Sequence, residues 1–366
     1  MLSQLYTANR IIRCERPVDC SCTQCDLFRE GGLLEISLPS YRCRHDAAGG
    51  CIMCNFGIGS ERRPESNCVL SQMCSVLDNL HGSIHTILLS TNGSVLDRNN
   101  VGEDLLFSIL RYVELSSIES IIIETHIDTV TEAQMLMLRK YLPTKNIILE
   151  VGLESSNCFI QKYCYLKEIP MNNLFRLMRI ADKYCISFQF NVILGAPFLT
   201  RKEQIDDTYN TICWVLDKGA MVTLFPMNVK PYTLLEYALN CGIYEPISHW
   251  CVPLLLSKFG CEDLEKIDLA WYGNRQITYN DSHTVFPTDC HACHDIIQGF
   301  YHAYIGSDNG YDRHASVAQV LTHSPCTCLE NEIKKAKIEP SFSQESRVCH
   351  LHNMLVGYLK HDKVLC

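Results

Sequence analysis

From Leu33 onward the chain alternates between short, apolar, β-branched runs and longer stretches whose apolar residues recur at helical spacing. The runs cover Leu33–Leu38, 84–89, 118–123, 146–151, Ile186–Leu194 and 220–225, and each reads as a strand. Between them, Leu174, Leu177, Met178 and Ala181 follow Pro170 at i, i+3, i+4 and i+7 spacing. Ile205, Tyr209, Ile212 and Leu216 form a second stripe, and both stripes are core-facing sides of helices. Six strand signals separated by helical ones predict βα units, right-handed crossovers and a parallel sheet. The continuous apolar character of 120–123 and 192–194 is what strands buried on both faces require.

Ahead of this pattern, residues 1–32 are polar and Cys-rich without sustained periodicity, ending in Gly31 and Gly32, and read as an extension. Beyond about residue 240 the pattern loosens. Segments 267–271 and 276–279 suit extra strands, 293–304 a helix, and the Lys-, Glu-, Ser- and Pro-rich stretch 324–345 a partly mobile segment. The expected organisation is an N-terminal extension over 1–32, an α/β domain over 33–240, and a C-terminal α+β region over 241–366 that carries substrate or auxiliary-site residues.

With 47% hydrophobic residues, the 366-residue chain can bury a large core. Its formal net charge of −9 argues against a broad phosphate-binding surface, which depends on clustered Lys and Arg. The sequence has no long apolar run, and residues 1–14 lack the apolar centre of a signal peptide, so the expectation is a soluble cytoplasmic protein. That setting makes the 22 cysteines mostly reduced thiols. Isolated ones, such as Cys185, Cys213, Cys241 and Cys261, read as small hydrophobes. Three groups read differently: Cys14, Cys20, Cys22 and Cys25; Cys43, Cys51 and Cys54; and Cys290 and Cys293 with Cys326 and Cys328.

Ligand chemistry in parallel α/β folds sits at the carboxyl ends of the strands. After the first strand comes a loop with Cys43, Cys51 and Cys54, in which Gly49 and Gly50 permit a sharp turn beside a metal. Three thiolates leave one coordination position open, whereas four would close the site. A structural zinc loop, or three unrelated buried thiols, is the alternative reading of these residues alone. After the later strands come the Ser90-Thr91-Asn92-Gly93-Ser94 turn, His126, Glu154 with Ser155, Pro197, and Asn228.

The loop from Gly49 to Phe56 resembles the cluster loop of radical SAM enzymes, and within that superfamily it is most similar to the archaeosine synthase branch, related to the Elongator catalytic subunit and the MiaB-type enzymes. Further segments correspond: Asn92 to Asp97, Gly152 to Asn157, Ala196 to Thr200 with Glu203, Asn228-Val229 with Thr233-Leu234, and Cys290-His-Ala-Cys293 followed by Asp295. The resemblance covers about 33–300 and implies a partial (βα)6 TIM-like barrel. It implies that Cys43, Cys51 and Cys54 hold a [4Fe-4S] cluster capped by S-adenosylmethionine. It further implies that Ser90, Thr91, Asn92, Gly93 and Ser94 contact the methionine moiety, Glu154 a ribose hydroxyl, residues near Asn191 and Pro197 the adenosine, and Met53 or Phe56 the adenine. The structural alternatives are a helix cap for Glu154 or Ser155 and a plain turn at Asn92-Gly93. Seven residues separate Cys43 from Cys51, against three in the commonest loop of the superfamily, and Met53 replaces the usual aromatic.

The implied activity is reductive cleavage of S-adenosylmethionine followed by hydrogen abstraction, with a flavodoxin- or ferredoxin-type electron donor. No catalytic residue beyond the cofactor set is assigned. Cys290, Cys293, Cys326 and Cys328 leave open an auxiliary metal, either zinc or a second cluster, or a thiol group that binds nothing; His291 and His294 are further donors beside them. The acidic charge favours a small-metabolite or peptide intermediate as substrate, with a tRNA nucleoside as the alternative. A basic surface at Arg62-Arg63 or Lys334, Lys335 and Lys337 would favour tRNA. A non-catalytic zinc-binding module is the reading from another class.

Overall fold

Among the described residues, eight strands lie side by side in sequence order in a single open sheet. The structure is a computed structural model that describes residues 1–14, 26–38, 43–55, 66–79, 83–270, 284–287, 290–307, 309–322, 324 and 326–365. The strands are β1 (Asp26–Glu30), β2 (Leu33–Leu38), β3 (Thr86–Thr91), β4 (Ser120–Thr125), β5 (Asn146–Glu154), β6 (Ile186–Leu194), β7 (Met221–Pro226) and β8 (Ile267–Leu269). Strands β2 to β8 are parallel, so the six βα strands read from the sequence are joined by a seventh at 267–269. Sequential order with crossovers of one hand puts every connecting helix on one face and curls the sheet into a half-barrel. β1 is added antiparallel to β2 through the two-residue Gly31-Gly32 turn, where Gly31 has φ of 55°.

Fifteen helices accompany the sheet among the described residues. Before β4 lie α1 (Leu2–Cys14), α2 (Arg44–Ala47), α3 (Ser66–Asn79) and α4 (Glu103–Leu115). Next come α5 (Glu132–Tyr141), α6 (Cys158–Tyr163), α7 (Met171–Lys183), α8 (Arg201–Asp217) and α9 (Leu234–Asn240). The C-terminal region holds α10 (Cys251–Leu256), α11 (Cys261–Leu264), α12 (His291–Ile305), α13 (Gly310–Thr322), α14 (Cys328–Ala336) and α15 (Gln344–His361). Pro170 caps α7 from outside, and Thr200 and Glu203 form a reciprocal capping box at α8. No helix among the described residues is long and apolar enough to cross a membrane.

The two faces of the sheet differ chemically. Ile36, Leu89, Ile121, Ile123, Leu149, Val151, Phe190 and Val192 pack against the helices in one large apolar core. The opposite, concave face carries buried polar groups: Ser90 Oγ donates to Glu35 Oε1 at 3.1 Å, and Gln189 Nε2 donates to Thr223 Oγ1 at 2.5 Å. The apolar runs therefore reflect the helix-covered face, while the polar residues between them line the hollow.

Two sequence readings change. Residues 324–345 are not a loose segment, since α14 lies within them and buries Leu329 and Glu332, the latter paired with Arg201. The N-terminal stretch contains α1, whose buried Leu5, Ala8, Asn9 and Ile12 recur at helical spacing. Segments 276–279 and 56–65, which include Phe56, Arg62 and Arg63, and the cysteines Cys20, Cys22 and Cys25, lie outside the described residues.

Candidate functional site

The loop after β2 is held from three directions. From α1, Arg13 donates to the carbonyls of Asp46 (2.5 Å), Gly50 (2.8 Å) and Cys51 (2.6 Å), and it forms an ion pair with the Asp46 carboxylate. Asn9 Nδ2 donates to Gly49 O at 3.0 Å, while its Oδ1 accepts from Leu234 N. From the segment after α6, the carbonyls of Leu166 and Tyr165 accept from the N–H groups of Cys51 and Ile52, and Leu235 N donates to Ile52 O. Gly49, with φ of +88°, lies so close to α1 that a Cβ there would sit 2.2 Å from Tyr6 O.

This scaffold brings Cys43, Cys51 and Cys54 to the carboxyl end of β2, with the first two buried and the third half-buried. The charges of Cys43 and Cys54 act on Cys51. Desolvation pushes the Cys51 thiol well above its usual range and raises Cys43 as well, with the Lys167 ammonium opposing both shifts.

Lys167 is the site residue that sequence reading missed. It is buried, and its Nζ donates to Glu154 Oε1 at 2.6 Å and Gly152 O at 2.8 Å. Burial acts to lower its pKa, but Glu154, Cys51 and Cys43 outweigh that and hold the ammonium charged. Room for the pair comes from Gly152, where a Cβ would stand 2.7 Å from Glu154 Oε1 and 2.8 Å from Lys167 Nζ. A register shift between Gly152 and Glu154 makes the bulge that presents the carboxylate. Next to Cys43, His126 Nε2 lies 4.0 Å from the sulfur, and desolvation lowers this imidazole to about 3, so it is neutral.

Other sequence-predicted residues gather at the same strand ends. The hydroxyls of Ser90, Thr91 and Ser94 are engaged internally, with Glu35, Leu38 O, and Thr125 and Thr129. That leaves the backbone of the 90–94 turn, with half-buried Asn92, as its contact surface. An added Cβ at Gly93 would stand 2.0 Å from Asn100 Nδ2 and 3.5 Å from Cys43 Cα, so the turn abuts the cysteine loop. Asn191 on β6, the register partner of Gly152 on β5, has a buried Oδ1 with no hydrogen-bond partner. Met53 is half-buried in the loop, and Pro197 is buried just before Phe198. Cys51, Glu154, Leu166, Phe198 and Tyr232 all adopt positive φ, between 53° and 66°, around this region. Such backbone persists only where surrounding structure over-determines it, and it concentrates at functional sites.

The donor set fits a multi-iron cluster. Buried thiols that resist ionisation gain from a metal that deprotonates them, and Lys167 compensates the resulting negative charge. The orphaned Asn191 Oδ1 calls for a donor from a ligand.

The second cysteine group lies elsewhere, on the C-terminal helices. Its sulfurs approach to 3.5 Å (Cys290 and Cys293), 3.4 Å (Cys290 and Cys326) and 3.1 Å (Cys293 and Cys326).

No protein-family model matches the chain. It is 25% identical over 247 residues to an uncharacterized protein of Methanocaldococcus jannaschii, covering 64% of this chain and 67% of the relative. It is 24% identical over 225 residues to the archaeosine synthase subunit beta of Methanosarcina acetivorans (60% and 64%) and 22% identical over 229 residues to that of Thermococcus kodakarensis (61% and 70%). The chain thus spans about two thirds of the length of these relatives. Among solved structures, the radical S-adenosylmethionine methyltransferase TsrM from Kitasatospora setae aligns with TM-score 0.45 at 13% identity (79% of this chain, 61% of that one). Methylornithine synthase aligns with TM-score 0.44 at 15% identity (64% and 62%).

The half-barrel thus carries three loop cysteines at the carboxyl end of β2, in a chain that is similar at 22–24% identity to proteins named archaeosine synthase subunit beta.

Proposed function

We propose that Cys43, Cys51 and Cys54 are the cluster ligands and that S-adenosylmethionine caps the remaining iron. On this reading the chain is a radical SAM enzyme with a [4Fe-4S] cluster, and what supports it is the loop itself, with three thiols at the carboxyl end of β2, pinned by Arg13 and acted on by the Lys167 ammonium. When bound, the cluster and S-adenosylmethionine supply a 5′-deoxyadenosyl radical after one-electron reduction by a low-potential donor of the flavodoxin or ferredoxin type. The chain's own residues bind and orient. The turn around Gly93 offers backbone to the methionine carboxylate and amine, Glu154 accepts from the ribose, Asn191 Oδ1 takes one ligand donor, and the Met53 thioether packs on adenine beside the Pro197 segment. Lys167 fixes the Glu154 rotamer, and the buried polar face excludes bulk water from the reacting carbon.

For the substrate, the relatives named archaeosine synthase subunit beta support hydrogen abstraction from a modified tRNA nucleoside. Since this chain carries a net charge of −9, the phosphate-binding surface on that reading belongs to a partner subunit. The same charge favours a second reading, a free small metabolite or a peptide intermediate bound by this chain alone.

The test is anaerobic reconstitution with iron and sulfide, reduction in the presence of S-adenosylmethionine, and measurement of 5′-deoxyadenosine. Production by the wild type and its loss in Cys51→Ala is the expected result; a wild type that makes none overturns the reading. Stimulation by a tRNA fraction, but not by its nucleoside digest or a small-metabolite pool, selects the first substrate.

A further inference from the structure

We infer that Cys290, Cys293, Cys326 and Cys328 form a closed tetrathiolate site for one zinc ion, which fixes the C-terminal helices to the barrel. All four sulfurs lie within 4.8 Å of one another, with separations of 3.1, 3.4 and 3.5 Å among three of them. A tetrahedral ion with Zn–S bonds of about 2.3 Å sets its sulfurs ~3.8 Å apart, so a small expansion of the observed group accommodates it. The sulfide core of an iron-sulfur cluster does not fit between sulfurs this close. The geometry of this group therefore suits a single ion. Soft thiolates select zinc over harder divalent ions.

The surroundings favour thiolates. Cys290 caps α12 and Cys293 lies in its first turn, while Cys328 opens α14 with Cys326 two residues before it. Two helix N-termini thus point at one site, and each favours negative charge. Trp250 Nε1 donates to Cys293 Sγ at 3.2 Å, and Cys328 N donates to Cys326 Sγ at 3.3 Å. N–H donors of this kind orient thiolate ligands and offset the excess charge of a four-thiolate site. Binding displaces the four thiol protons and leaves no open coordination position, so the site is structural.

Its mechanical role follows from α14. Glu332, one turn beyond Cys328, is buried against Arg201 Nε at 2.7 Å and accepts from Cys251 Sγ at 3.3 Å. Arg201 opens α8 directly after the Thr200 cap, behind the Pro197 strand-end segment. The ion joins the start of α12 to the start of α14, and α14 then anchors on α8.

The experiment measures metal by elemental analysis in the full chain and in Cys51→Ala, so that failure of the loop-cluster reading leaves this result interpretable. Expected are about one zinc per chain in both proteins, its loss in Cys326→Ser, and, after replacement by cobalt, the sulfur-to-cobalt charge-transfer absorption of a tetrathiolate site. The cobalt spectrum is read on the unmutated chain, so a variant that fails to fold does not decide the outcome. Iron and sulfide retained in Cys51→Ala would assign a second cluster and overturn the inference. So would a metal-free protein with a Cys290–Cys293 or Cys293–Cys326 disulfide, or cobalt bound without thiolate absorption.

Discussion

Lys167 Nζ and Glu154 Oε1 meet at 2.6 Å, both side chains buried, directly behind the cysteine loop. The ammonium answers two sets of negative charge, the Glu154 carboxylate and the loop thiols, and so couples the predicted ribose acceptor to the predicted cluster ligands. Removing one partner of such a pair strands the other. Lys167→Met is expected to destabilise the protein by about 3–5 kcal/mol, with much of that regained in the Lys167→Met, Glu154→Gln double variant. Urea unfolding of the three proteins decides; additive losses would mean the pair is not coupled.

Gly49 and Gly242 separate backbone strain from steric exclusion. Both have positive φ, +88° and +69°, but a Cβ at Gly49 would stand 2.2 Å from Tyr6 O, whereas nothing lies within 4 Å of one at Gly242. Gly242→Ala is expected to cost only the left-handed backbone term, about 1–2 kcal/mol. Gly49→Ala adds overpacking of about 1–3 kcal/mol and displaces the loop, so it also lowers the iron retained after reconstitution. Equal effects on stability and iron at the two positions would contradict this account of the loop.

The strands were legible because one face of each packs on helices: Leu33–Leu38 and Ile186–Leu194 match the read runs residue for residue. β3 starts at Thr86 rather than Ile84 because the ladder with β2 begins where Thr86 faces Leu33. β5 runs past Val151 to Glu154 because the bulge after Gly152 keeps it paired with β6. α1 was hidden by chemistry: its buried side includes Asn9 and Arg13, polar residues that interrupt an apolar stripe yet serve the loop. Lys167 carried no motif at all, and only tertiary proximity gives it meaning. The cysteines at 290, 293, 326 and 328 were legible as one possible metal group, and the structure brings their sulfurs together, with α13 lying between the two pairs in the chain.

Arg13 makes the loop's shape dependent on the N-terminal helix. Its fork reaches three carbonyls that a lysine's single ammonium cannot serve together. Arg13→Lys keeps the charge opposite Asp46 but is expected to cost about 1–3 kcal/mol through unsatisfied buried carbonyls and to reduce cluster occupancy. Thermal unfolding and the iron-to-protein ratio check both effects. An unchanged ratio would show that the loop holds its shape without the helix.

Asp207 on α8 gives the fold a pH dependence of defined sign. Desolvation raises its carboxyl to about 7, with the Ser155 hydroxyl, which donates to Oδ1 at 2.7 Å, pulling the other way. Below the unfolded value near 3.9, both states are protonated and the group contributes nothing. Between about 4 and 7 the unfolded chain releases the proton while the folded chain keeps it, so stability falls as pH rises. Above about 7 both are ionised and the loss is complete, on the order of 4 kcal/mol at ~1.4 kcal/mol per unit. Asp207→Asn retains an acceptor for Ser155 and removes the ionisation. Its unfolding free energy should be near that of the wild type at pH 4 and exceed it at pH 8, the gap opening across that interval. Comparing the two proteins cancels the titration of the buried histidines, which both share; parallel stability curves would show that Asp207 is solvated as a carboxylate in the native state.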